Sequence, residues 1–157
     1  QWTYAILDKK TEVLMIQQVT KFTDSELETI AQIWLQSNLD AHDFISAAHW
    51  QDNYDFVKKA FADALIYTYS VDDQPVGFIG MLDDYIAGIF VLKDYRAHGI
   101  GKQLLQKVQA EHEKLTLNVY QKNTAAIAFY LKHGFTIVSE QLDSDTNEIE
   151  NTMEWHR

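Results

Sequence analysis

The stretch that most constrains this chain is IAGIFVLKDYRAHGIGKQLL, residues 86 to 105. An apolar run of strand length leads into a short basic turn, two glycines one residue apart, and a helical pattern with Ile100, Leu104, Leu105 and Val108 on one face. Any fold that contains it must bring the end of a strand to the N-terminus of a helix. The first turn of that helix leaves backbone N–H groups unpaired and carries the positive end of the helix dipole. Gly99 and Gly101 remove side chains that would screen those amides, and Arg96, His98 and Lys102 place basic groups around them. The segment therefore suits an anion site. It also suits a plain strand-to-helix corner in which glycine serves only its backbone angles.

The charge distribution bears on that choice. The chain carries a formal net charge of −10, which argues against nucleic acid as a partner. Residues 93 to 139 hold seven Lys or Arg and three acids, leaving six basic and twenty acidic residues elsewhere. A locally basic segment in so acidic a chain fits a polyanionic ligand; clustering on solvated helix faces is the alternative. Two phosphate-binding patterns fail on inspection. The nucleotide P-loop needs glycine where Arg96 stands and Ser or Thr where Gln103 stands. The dinucleotide fingerprint needs a third glycine where Leu104 stands.

With 157 residues, 46% of them apolar, the chain suits one well-cored domain. No apolar run approaches the roughly 18 to 20 residues of a membrane span, so no membrane partner is expected. No basic start followed by a short apolar stretch suggests a secretory signal. The absence of cysteine removes disulfides, zinc–thiolate sites and cysteine nucleophiles, and suits a cytoplasmic protein. Residues 1 to 14 read as a leader or an appended, non-native extension ahead of a natural start at Met15, or else as an extra terminal strand. Residues 15 to 157 form the single domain.

The pattern then predicts a strand over 16–22 and a helix opened by a capping box, Thr23 with Glu26, and a staple between Phe22 and Leu27. Leu27, Ile30, Ala31 and Trp34 face inward on that helix. A second helix is expected over 47–64, with Trp50, Tyr54, Val57 and Phe61 on one face. Strands follow over 65–71, 76–82 and 85–92, the first two joined by Asp72, Asp73 and Gln74, and the third marked at Gly88 by a bulge or a close backbone approach. After the glycine-led helix come a strand over 115–120 and a helix capped by Asn123 or Thr124. That helix buries Ala126, Ile127 and Phe129 or Tyr130 and ends at Gly134. Strands over 135–141 and 148–155 complete a mixed α and β order.

Arg96-Ala97-His98-Gly99-Ile100-Gly101 matches the pattern of Gln or Arg, two residues, Gly, one residue, then Gly or Ala. In this the chain resembles the GNAT superfamily of N-acetyltransferases, whose members hold the coenzyme A pyrophosphate with that pattern. NTAAIAFYLKHGF, residues 123 to 135, is a second match, and His42-Asp43-Phe44 after the first helix is similar to small bacterial single-domain members. The resemblance covers nearly everything after Met15. It implies an α/β (mixed α+β) fold with a central, mostly antiparallel sheet of about seven strands and flanking helices, splayed between strands 4 and 5.

The resemblance also implies roles. Backbone groups of Ile89 and Val91 would bond the pantetheine arm of acetyl-coenzyme A, with Phe90 between them also on the cofactor-binding strand, and amides from Ala97 to Lys102, beside Arg96, would hold the pyrophosphate. Asn123 and Phe129 would contact the cosubstrate, the Val91 N–H would meet the oxyanion, and Tyr130 would give a proton to the leaving sulfur. His42, Phe44, Asn118 and Tyr120 would line the acceptor side. The expected reaction is direct transfer of acetyl to a primary amine, of a small molecule or a protein, by a monomer or homodimer without metal. One departure stands out: many members place a Glu on the fourth strand, whereas this chain has Ile86-Ala87-Gly88-Ile89. Asp83, Asp84 and His42 are the nearby titratable groups, and none is assigned as base. That gap keeps open a coenzyme A-binding sensor without turnover.

Overall fold

A computed structural model describes residues 16–157. The readings made for residues 1 to 14, and for Met15 as a start, lie outside the described residues. The seven strands are β1 (Ile16–Val19), β2 (Leu65–Val71), β3 (Gln74–Leu82), β4 (Tyr85–Val91), β5 (Lys114–Tyr120), β6 (Thr136–Asp143) and β7 (Glu148–His156). They form one sheet in the order β1-β2-β3-β4-β5-β7-β6. All neighbours are antiparallel except β4 and β5, which run parallel.

The helices are α1 (Asp24–Ala41), α2 (Ala47–Asp52), α3 (Tyr54–Phe61), α4 (Ile100–Glu111) and α5 (Thr124–Lys132). They divide between the two faces of the sheet, and strand alternation sorts the side chains accordingly. Ile66, Phe78 and Phe90 pack with α1, α2 and α3; Tyr67, Ile79, Ile89 and Val91 pack with α4 and α5. The capping box of α1 is present in full: the Glu26 N–H donates to Thr23 Oγ1 at 3.1 Å, and the Thr23 N–H to Glu26 Oε1 at 3.3 Å. The four inward positions read for α4 are buried.

Three local expectations need correction. The helix expected over 47–64 is two helices broken at Asn53, whose side-chain Nδ2 donates to the His49 carbonyl at 2.7 Å while its own carbonyl starts α3. An Asn that bonds its neighbouring backbone in this way competes with helix continuation. The bulge of β4 falls at Ala87 rather than Gly88, because Gly80 faces Gly88 while Met81 faces Ile86. Gly88 has a different use. A Cβ there would lie 2.3 Å from the Phe90 ring, so the absence of a side chain makes room for that ring. Finally, β1 stops at Val19, because Thr20 to Phe22 lead into the α1 cap instead of pairing with β2.

Candidate active site

β4 and β5 share a single register pair, Tyr85 with Thr116, supported by the Thr116 N–H donating to the Asp84 carbonyl at 3.0 Å. Beyond that pair the strands diverge. Which peptide groups face the opening follows from parity. Leu92 N–H donates to the Val76 carbonyl, and in an antiparallel ladder bonded and non-bonded positions alternate. Phe90 therefore turns its peptide groups toward β3, while Ile89 and Val91 turn theirs away from β3, into the split. There the Val91 carbonyl accepts from Arg96 Nε at 2.9 Å, leaving the Val91 N–H and both groups of Ile89 without a strand partner. Phe90 contributes a ring to the other face, 5.1 Å from Phe78.

The end of β4 delivers the chain through a short 3₁₀ turn, Lys93–Tyr95, to the loop before α4. Ala97 and Gly99 both adopt positive φ, 63° and 77°, and Gly99 is the N-cap of α4 without any side-chain cap. The first helical bond runs from Gln103 N–H to the Gly99 carbonyl. The amides from Ala97 to Lys102 therefore make no hydrogen bond among the described residues. A Cβ on Gly99 would meet nothing within 4 Å, and one on Gly101 would sit 3.6 Å from the Phe129 ring. The loop is thus an array of free donors under open space, with Phe129 as its wall. A diphosphate needs such a cradle, and these residues fit one. His133 meets Phe129 in a tilted contact at 4.7 Å, and its pKa is lowered by burial and then by Lys132 and Lys102. Arg96 reaches Asp40 at 3.5 Å; with both side chains over a third exposed, that pair is worth at most about 1 kcal/mol and does not lock the loop.

Tyr130 packs in the same cluster as Ile89, Val91 and Phe129, against the rings of Phe129 at 5.3 Å and Phe135 at 5.4 Å. Burial, with the neighbouring Tyr85 phenol adding to it, raises its pKa well above the ordinary tyrosine value. Tyr85 is the β4 partner of Thr116, so Tyr130 stands beside the point where the two strands part. Its phenol stays protonated at neutral pH and is a donor, not a base.

On the opposite face the structure brings together His42, Phe44 and Tyr120, and Asn123 reaches the His42 ring from the start of α5. The His42 ring stacks on Trp50 at 5.3 Å and meets Phe44 and Tyr120 edge-on at 5.5 and 5.3 Å. Asn123 Nδ2 lies 3.2 Å from His42 Nε2, and the Tyr120 hydroxyl donates to Asp143 Oδ2 at 2.7 Å. Asn118 does not join them; it is exposed and accepts from Thr152 Oγ1 at 2.7 Å. Asp83 and Asp84 lie in the turn at the closed end of the split, away from Val91. Beside the aromatic group, Trp34, Trp50, Phe56, Val57 and Asp145 line a groove of about 460 Å³.

Burial lowers the His42 pKa from 6.5 to about 4. Between those values the unfolded chain binds more protons than the folded one, so stability falls as pH drops from 6.5 toward 4. His42→Gln cannot titrate and is expected to lose less melting temperature than the parent over that interval. Equal slopes in pH-resolved thermal melts would contradict the burial of a neutral ring.

Sequence reading missed Tyr85, Trp50, His133 and Asp40. His133 left a trace, lying one helical turn after Phe129 on the same face of α5, and Trp50 was legible only as an inward helix position. Tyr85 and Asp40 are brought in by tertiary contacts with no local pattern.

Comparison with known proteins agrees with this geometry. A family model for the acetyltransferase (GNAT) domain matches residues 62–137. The chain is 38% identical over 133 residues to the peptidyl-lysine N-acetyltransferase YiaC of Escherichia coli, covering 83% of this chain and 91% of that protein. The chain belongs to the GNAT superfamily of N-acetyltransferases. The solution structure of apo-form YjaB from Escherichia coli superposes with a TM-score of 0.76 at 27% identity, covering 89% of this chain and 97% of that one. An acetyltransferase from Bacillus anthracis solved with acetyl-coenzyme A superposes with a TM-score of 0.54 at 27% identity, over 60% of this chain and 62% of the other. As a GNAT enzyme the chain is an acetyl-coenzyme A-dependent N-acetyltransferase, and the mixed α/β sheet opened between β4 and β5 is that family's fold. Among the described residues no three His, Asp or Glu side chains are placed to hold a metal ion, and no helix is long and apolar enough to cross a membrane.

Proposed function

We propose that this enzyme moves acetyl from acetyl-coenzyme A directly to a lysine side chain of a protein acceptor, with both substrates bound at once. The split between β4 and β5 carries the reading. Ile89 and Val91 present an unpaired strand edge to it, and a pantetheine arm with its two amides bonds such an edge as an added strand does. The amides of Ala97 to Lys102, flanked by Arg96, His98 and Lys102, then take the pyrophosphate, and Asn123 and Phe129 border the arm. An uncharged amine attacks the thioester carbonyl, and the Val91 N–H meets the oxygen on which charge develops. Tyr130 supplies a donor to the departing sulfur. A chain without cysteine has no thiol to carry an acetyl intermediate, which favours direct attack over a two-stage exchange. His42, Phe44 and Tyr120 wall the acceptor side, with Asn118 at its exposed margin. Protein lysine is favoured over small amines by the naming of YiaC and the YjaB proteins as peptidyl-lysine N-acetyltransferases. A chain this acidic also suits a cationic acceptor in the cytoplasm.

Two measurements test this. Coenzyme A is expected to raise the melting temperature, because a ligand that binds only the folded state stabilises it. Thiol release from acetyl-coenzyme A is expected to be faster with lysine-containing peptides than with polyamines or aminoglycosides, with intersecting rather than parallel double-reciprocal lines. Release with small amines alone would overturn the lysine assignment, and parallel lines the ternary complex.

A further inference from the structure

Asn123 has two side-chain bonds, and the second decides the first. Its Oδ1 accepts from the Ala126 N–H at 3.2 Å, which makes Asn123 the N-cap of α5. The atom turned to His42 is then the amide nitrogen, a donor, so His42 Nε2 accepts and the ring proton sits on Nδ1. Nδ1 is buried and has no partner among the described residues. Neither nitrogen is left to take a proton from an amine: one lone pair is engaged and the other nitrogen already carries hydrogen. Trp50, Phe44 and Tyr120 hold the ring on three sides. Lys122 lies over the Phe44 ring, Asp143 accepts from the Tyr120 hydroxyl, Asp43 follows His42 in sequence and Asp40 lies two residues before it.

The contact also crosses the molecule. His42 ends α1 on one face of the sheet, and Asn123 begins α5, whose Phe129 and Tyr130 pack on the other face. We propose that His42 is a positioning residue for the coenzyme A side of the site, orienting the Asn123 amide and through it the first turn of α5, and that it is not the base. This rests on the reading of α5 and the β4–β5 split as the coenzyme A site. The link gives a physical route by which the acceptor wall and the helix bearing Tyr130 share one alignment. The sequence separation of 81 residues explains why periodicity could not show it.

The test is a double-mutant cycle on coenzyme A affinity, read by calorimetry, with turnover measured alongside. One neutral hydrogen bond carries less than a general base, so His42→Ala and Asn123→Ala are each expected to weaken binding about tenfold, with the double variant no worse than either. His42→Gln places an oxygen near the position of Nε2; it is expected to bind within about threefold of the parent and to keep the acid limb of the pH–rate profile, whereas loss of a base would cost about 100-fold or more. Additive losses would sink the positioning role, as would a His42→Gln variant that loses the acid limb. If His42→Ala does not fold, His42→Gln carries the test, and loss of coenzyme A binding in it overturns the proposal. No heat from the parent with coenzyme A would sink the site reading itself; heat from the parent with additive losses sinks only the role given to His42.

Discussion

Tyr130→Phe is expected to bind acetyl-coenzyme A as tightly as the parent and to turn over on the order of 100-fold more slowly, the usual range for a lost proton donor. The separation of the two effects follows from the packing. Tyr130 is held by the rings of Phe129 and Phe135 and by the apolar cluster around Ile89 and Val91, all of which phenylalanine keeps. The deleted atom is a hydroxyl, and a loss of thioester binding would require that hydroxyl to hold the ground state. Loss of a group that acts only as the sulfur departs lowers kcat and kcat/KM together without changing affinity. Calorimetry with coenzyme A and steady-state thiol release decide it: equal turnover removes Tyr130 from the chemistry, and weakened affinity with unchanged kcat makes it a binding residue. Because burial holds the phenol protonated, the alkaline limb of the parent profile is not expected to report its ionisation near the ordinary tyrosine value.

Gly99→Glu is expected to abolish measurable coenzyme A binding, a loss of about 100-fold or more from two causes acting together. Gly99 sits at φ 77°, where a side chain is strained, and a glutamate there brings its own carboxylate to the unpaired amides at the start of α4. The variant would fill its own anion site. Gly99→Ala separates the causes. It carries the backbone strain of about 1–2 kcal/mol but meets open space and adds no charge, so its loss should be about tenfold. Equal losses in the two variants would mean that backbone shape alone governs the loop, and full affinity in Gly99→Glu would remove the loop from the ligand's path.

What could be read without coordinates was local. The inward face of α4 rests on a 3.6-residue period, the α1 cap on a four-residue box, and the open loop on glycines whose spacing relates directly to amide exposure. The mostly antiparallel sheet and its splay between strands 4 and 5 came from the family resemblance, not from periodicity. Illegible features depend on distant pairs or on side chains that compete with the backbone. Asn53 splits a helix because its amide bonds His49, a contact that leaves an apolar period undisturbed. Gly88 suggested a bulge, and its real neighbour, the Phe90 ring, is visible only when the strand is folded. The cluster of His42, Phe44, Tyr120 and Asn123 joins the end of one helix, a following loop, the end of a strand and the cap of another helix. The family resemblance implied a shared side for His42, Phe44 and Tyr120, but nothing local in the sequence signals that Asn123 joins them.

Two blocks of strands, β1 to β4 and β5 with β7 and β6, touch as a sheet at one residue pair. An ordinary enzyme cleft is a hollow between finished surfaces. Here the cleft is a seam, and its walls are the raw edges of two incomplete sheets, kept from pairing with each other by their divergence. On the proposed reading, a thread-like guest with amides along its length would complete the weave that the polypeptide leaves unfinished. Bonding of that guest would fall to the backbone of β4, while the side chains there answer to packing: Ile86 is buried, and Gly88 leaves room for the Phe90 ring.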